Sequence, residues 1–207
     1  MPELHPASPA ERTLCLDFVN TLADRPLSRQ ESLHSLGDLV AWAESAGVID
    51  GRGARELSRH VTSHPRLAQA VLTRALDLRE ALYRILAAPA DPPAPADVAV
   101  LNAVLRDALV HRQLAGRDGL RWTWTDEPVT SQAILWRIAW SAAALVTSPD
   151  RDRVRECRSA TCSWLFVDRS RGRRRQWCEM RTCGNREKAR RHYARQKAGR
   201  TRSTGQA

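Results

Sequence analysis

Four cysteines fall in two pairs of equal spacing, Cys157-x4-Cys162 and Cys178-x4-Cys183, with fifteen residues between the pairs. Nothing else in the chain restricts its fold so tightly. Each pair can clamp one edge of a tetrahedron, and an interval of about 15–20 residues is the spacing of structural zinc sites. A catalytic zinc keeps one position open for water. Four thiolates therefore predict a closed site, with one structural Zn2+ on Cys157, Cys162, Cys178 and Cys183.

Compartment decides between metal and disulfide. The first residues, MPELHPASPAERTLCLDF, lack a basic segment followed by an apolar one. No run approaches the roughly eighteen apolar residues of a membrane span. A cytoplasmic protein without a membrane partner is expected, and in a reducing cytosol paired cysteines more often bind metal than each other. Cys15 lies on an apolar helix face far from the pairs and reads as a small buried hydrophobe.

Charge divides the chain in two. Of 33 Lys+Arg and 23 Asp+Glu, residues 151–207 hold 18 and 5, a balance of +13, which leaves −3 for residues 1–150. A neutral-to-acidic globule is thus joined to a strongly basic module, and only the second part invites a polyanionic partner.

Periodicity makes residues 1–150 mainly helical. Leu14, Phe18 and Leu22, with Cys15 and Val19, predict a helix over 10–23, with Asp17, Asn20, Thr21 and Asp24 on its other side. Ser35 caps a second helix that Gly47 ends. A third runs from near Gly53 to before Pro65, and a fourth over 66–88. The proline-rich stretch 88–96 stops it, and Asp97 caps a fifth. Arg117-Asp118-Gly119 marks a turn before alternating Leu120, Trp122 and Trp124, which predicts one hairpin. Thr130 or Ser131 opens a last helix, in which Trp136 and Trp140 pack in the core. The boundary falls at 149–153.

In the basic module, Trp164 to Asp168 reads as a strand, Ser170 to Arg173 as a turn, and Arg175 to Cys178 as the returning strand. Asn185 caps a helix from Arg186 to about Lys197. Tyr193 packs on the strands, Arg174 can pair with Asp168, and His192 is a surface residue. Fewer than about fifty residues cannot bury enough surface to fold alone, so the metal supplies that free energy, on the order of 10 kcal/mol. The expected architecture is mainly α with a small β component. A helical domain with one hairpin (1–150) precedes a zinc-bound hairpin-plus-helix module (151–198) and a disordered basic tail (199–207).

The string Cys157-RSAT-Cys162-SWLFVDRSRGRRRQW-Cys178-EMRT-Cys183-Gly184-Asn185-Arg186 resembles the CGNR zinc finger, named for its last four residues. The Leu14-Cys-Leu-Asp-Phe-Val-Asn-Thr21 string is similar to the ABATE domain, which accompanies this finger in bacterial stress-induced transcription regulators. The resemblance implies zinc on the four cysteines and DNA binding. It also draws Asp17, Asn20 and Thr21 together as a candidate effector pocket.

The arginines support a nucleic-acid partner independently. Arg171, Arg173, Arg174 and Arg175 cluster at the hairpin tip, while Arg186, Lys188, Arg190, Arg191, Arg195 and Lys197 cover the helix. Neutralising phosphates releases condensed counterions and turns self-repulsion into affinity. The sequence reads as a zinc-dependent transcription regulator on duplex DNA, nucleoid-associated, with a small-molecule effector and a homodimer as candidate features. RNA or ribosome binding and a redox-responsive zinc switch are the alternatives. Without an HExxH, GxSxG or phosphate-loop pattern, no enzymatic role is expected.

Overall fold

The computed structural model describes residues 13–89, 91–116, 119–125 and 130–203, with side chains up to 196. The predicted helix starting at residue 10, the turn at 117–118 and residues 204–207 therefore lie wholly or partly outside the described residues. Seven helices order these residues: α1 (Leu14–Val19), α2 (Leu36–Ser45), α3 (Gly51–Ser63), α4 (Pro65–Ala87), α5 (Pro95–Leu109), α6 (Ser131–Val146) and α7 (Asn185–Ser203). Three antiparallel pairs complete them: β1 (Leu22–Ala23) with β2 (Gln30–Glu31), β3 (Arg112–Ala115) with β4 (Arg121–Trp124), and β5 (Val154–Glu156) with β6 (Leu165–Val167). The mainly helical expectation, with a small β component, is what the chain adopts. No helix among the described residues is long and apolar enough to cross a membrane.

Local chemistry sets most boundaries. The Ser35 hydroxyl accepts the Asp38 N–H while Asp38 accepts that of Ser35, a reciprocal cap on α2. Gly47 leaves α2 at φ +68°, where a side chain would be strained. Thr130 accepts the Ala133 N–H at the start of α6. Asp97, expected as a cap, lies inside α5, which begins at Pro95; its buried carboxylate instead receives the Arg84 guanidinium at 2.6 Å. An N1 proline with fixed φ explains the earlier start.

The first helix is shorter than its stripe. It stops at Val19 because the Thr21 hydroxyl turns back to the Phe18 carbonyl and Asn20 bonds a distant strand, leaving Leu22 to begin β1. The core gathers around α4, whose Val71, Leu72, Ala75, Leu78, Leu82 and Leu86 meet Phe18 and Val19 of α1 and Ile134, Leu135, Ile138 and Leu145 of α6. Trp136 and Trp140 flank this core instead of entering it. Trp136 stacks on His111 at 3.8 Å, and Trp140 lies under Trp122 and Arg112. The inner positions of α6 are taken by branched aliphatics and alanines, which pack closer to α4 and α1 than an indole can.

The finger's strands belong to this same core. Val154, Leu165 and Val167 are buried with the helical residues, and β6 lies against α1 and α4. The expected hairpin between the cysteine pairs does not form: β6 pairs upstream with β5, and residues 174–177 run irregularly. Asp168 is the reason. Its buried carboxylate accepts the N–H groups of Ser170 and Arg175, at 2.9 Å each, and the Ser170 hydroxyl. The loop wraps around that one side chain, and Arg173 takes φ +49°. Arg174 makes no pair with Asp168. The last helix continues through residues 199–203, which were expected to be disordered.

Candidate metal centre and basic face

Cys157 and Cys162 sit on the knuckle joining β5 to β6; Cys178 closes the irregular return; Cys183 lies in a wide helical turn, Met180–Gly184, that feeds α7. All four Sγ atoms lie within 4.8 Å of one another, with Cys162–Cys178 and Cys178–Cys183 at 3.6 Å. A tetrahedral Zn–S bond of about 2.3 Å puts the sulfurs about 3.8 Å apart, so the cluster fits one zinc. Phe166 and the half-buried Trp177 wall it.

The sulfurs alone cannot all ionise. Cys162, bonded to Cys178, is held down at about 5, whereas burial pushes Cys157 up to about 11. Cys178, through that same bond and burial, is pushed up as well. Four thiolates at this spacing need a cation, and a dipositive ion supplies it. The zinc's chemistry here is bracing, because no ligand position is left for substrate.

The residues after Cys183 lock the module. A Cβ on Gly184 would press on the Met180 thioether and the Trp177 ring, so glycine lets the turn approach the metal wall without displacing either. Arg186 donates to the Thr161 hydroxyl at 2.6 Å, tying α7 to the first knuckle. Buried Glu187 accepts from Ser159 and the Ala160 N–H, and the Arg190 bond, with those two, holds its carboxyl below the usual range. The i,i+3 spacing to Arg190 marks Glu187 only as a surface helix pair, whereas its bonds to Ala160 and Ser159 reach 27 and 28 residues upstream.

The expected basic residues separate into two groups. Arg175 stacks on Phe166 at 4.7 Å and donates to the carbonyls of Trp177 and Cys178, Arg186 holds Thr161, and Arg190 pairs with Glu187 at 2.7 Å. These three brace the finger. Arg171, Arg173 and Arg174 on the loop, and Lys188, Arg191 and Arg195 on α7, are exposed, and among the described residues none makes a side-chain ion pair. The Lys197 side chain lies outside the described residues. From Lys188 to Gln196 every position of α7 is exposed, so the helix stands clear of the body. Tyr193, expected on the strands, is 69% exposed for that reason, and Trp164 is 41% exposed. His192 is at the surface, bonded to Gln196.

Asp17, Asn20 and Thr21 do line one cleft of about 480 Å³, together with Trp42 and Trp164. Two of them are engaged elsewhere. The Asn20 amide donates to the Leu165 carbonyl and accepts its N–H, at 2.9 and 2.8 Å, and the buried Thr21 hydroxyl receives Arg79. Only Asp17 is exposed. Cys15 is fully buried, which pushes its thiol up to about 12.

A helical domain fused to a finger with a closed four-cysteine centre defines a zinc-finger regulator, and sequence comparison agrees. The ABATE family, described as "Putative stress-induced transcription regulator", matches residues 12–149, and the CGNR zinc finger matches residues 153–196. The chain belongs to the ABATE family and carries a CGNR finger after that domain. No curated protein matches it.

Proposed function

We propose that the chain is a transcription regulator of the nucleoid that grips duplex DNA through α7 and the 171–174 loop, with zinc holding the two in register. One observation carries this reading: α7 offers Lys188, Arg191 and Arg195 on a single flank, exposed and without acidic partners among the described residues. A helix of about 10–12 Å diameter fits the major groove, and arginine can bind phosphate or guanine with two bonds. The first domain serves as the sensing part, and the chain binds rather than catalyses.

Titrating duplex DNA across salt concentrations tests this. Six unpaired cations predict a log–log slope of about −5, at about −0.9 per phosphate. A flat response overturns the reading. One finger covers roughly 600–1,000 Å², so specific binding favours two copies on two half-sites, which sedimentation with DNA measures. A second reading, structured or single-stranded RNA, draws on exposed Trp164 and Tyr193 beside the arginines, because bases stack on such rings. Preferential competition by RNA at matched salt would select it.

A further inference from the structure

A second cavity, of about 470 Å³, opens where α1, the α2–α3 turn, β4 and α6 meet. Leu14, Asp17, Gly47, Trp124, Arg137 and Trp140 line it. Arg137 and Trp140 lie three residues apart on α6 and so share a face. The Arg137 guanidinium sits 5.0 Å from the Trp124 ring centre, and Arg112 stacks on Trp124 and Trp140 at 4.6 and 4.3 Å. Among the described residues Arg137 has no carboxylate partner, and the buried Trp140 indole N–H has no acceptor.

A half-buried guanidinium stacked on indole, with no counter-ion among the described residues, is an unmet demand for an anion. Burial pushes the pKa of Arg137 down, as desolvation without a paired charge should. The volume lies within the range of small-molecule sites, and the walls are aromatic, which suits a flat ligand. Asp17 also lines the cavity, open to solvent on one side and desolvated enough on the other to raise its carboxyl. Its charge opposes a multiply charged anion and admits a monoanion.

We infer that this cavity binds a small planar monocarboxylate of one or two aromatic rings, its ring against Trp124 and Trp140 and its carboxylate on Arg137. The inference rests on reading the first domain as the sensing part, and not on nucleic-acid binding. Sequence reasoning found Asp17 and assigned it to the neighbouring cleft. Its aromatic and cationic residues, Trp124, Arg137 and Trp140, come from β4 and α6, more than a hundred positions away.

The test uses the zinc-loaded full chain, titrated with benzoate, salicylate and indole-3-acetate by calorimetry and tryptophan fluorescence, with inorganic phosphate as competitor. Saturable one-site binding that phosphate does not displace is expected. Arg137→Gln should weaken it by about tenfold or more, the worth of one lost charge-assisted contact, and Arg137→Lys by less. Arg191→Ala, on the distant basic face, should leave it unchanged. Absence of saturation by about 5 mM, a Kd too weak for such a contact, overturns the proposal. So does equal weakening in Arg191→Ala, or undiminished binding in a folded Arg137→Gln. Binding that leaves duplex affinity unaltered supports the cavity and overturns the sensing role alone.

Discussion

Arg79 interrupts the apolar stripe of α4, and its guanidinium is buried. It pairs with Glu31 at 2.6 Å and Glu80 at 3.2 Å and donates to the Thr21 hydroxyl. Arg25 joins the network through Glu80 at 2.6 Å and stacks on Tyr83. Arg79→Met should cost about 3 kcal/mol, the scale of breaking a buried pair and stranding its partner, measured by urea unfolding. Burial would raise the Glu31 carboxyl, but the Arg79 bond and charge, together with the Leu33 and Ser32 N–H groups, outweigh it and the net shift is downward from 4.5. A lowered carboxylate stabilises above its unfolded pKa, so this contribution stays level from pH 7 to about 4.5 and fades as pH falls further. Arg79→Met should flatten that acid limb; an unchanged limb would show that Glu31 draws nothing from the arginine. The zinc ligands were legible because their spacing is itself the geometry. Arg79 and Asn20 were not, because their partners are set by tertiary packing and no local period encodes them.

At the scale of elements, α7 poses the sharpest question, because among its described side chains only those of the first turns touch the rest of the protein. A helix polar on every side gains little from packing, and its stability rests on its own hydrogen bonds and on whatever it binds. Lys188→Ala, Arg191→Ala and Arg195→Ala together should reduce the salt slope of DNA binding by about 3 and leave the melting temperature nearly unchanged. Arg175→Met should do the opposite, since that side chain holds Phe166 and the Cys178 carbonyl. It should speed zinc loss to a chelator and keep the slope per bound molecule. Equal effects of the two variants would remove the division between bracing and contacting arginines. The composition of residues 165–167 correctly marked a strand. Its partner was misplaced because Val154 to Glu156 lies upstream of Cys157, outside the span between the cysteine pairs where the partner was sought, while the arginine-rich return wraps the Asp168 carboxylate, a preference that strand composition does not express.

For the whole molecule, the division of charge near residue 150 is not a division of structure. Val154, Leu165 and Val167 lie in the core that α1, α4 and α6 build, Asn20 clamps both main-chain groups of Leu165, and the Asp24 N–H donates to the carbonyl of Cys162 itself at 2.8 Å. The Arg25 N–H reaches the Ser163 hydroxyl at 3.0 Å. A zinc ligand is therefore held from both sides, by the metal and by the first domain. Zinc binding in small modules contributes on the order of 10 kcal/mol, and these contacts pass part of it to the helices. Removing zinc with a chelator, or replacing Cys178 by serine, should leave α2 to α6 folded, because the helices themselves supply most of the core that Val154, Leu165 and Val167 join, yet lower their melting temperature. Loss of about 2 kcal/mol of interface would shift it by about 4–8 °C in a chain of this size. Asn20→Ala strands the buried main chain of Leu165, at a cost of about 1–3 kcal/mol, and should both reproduce part of that shift and accelerate zinc release. Coincident melting of the helices with and without zinc would mean that the shared core carries no coupling. A shift in both experiments gives the first domain a lever on the metal: any ligand that tightens α1 and the loop after it also tightens the carbonyl behind Cys162, and with it the helix that carries the arginines.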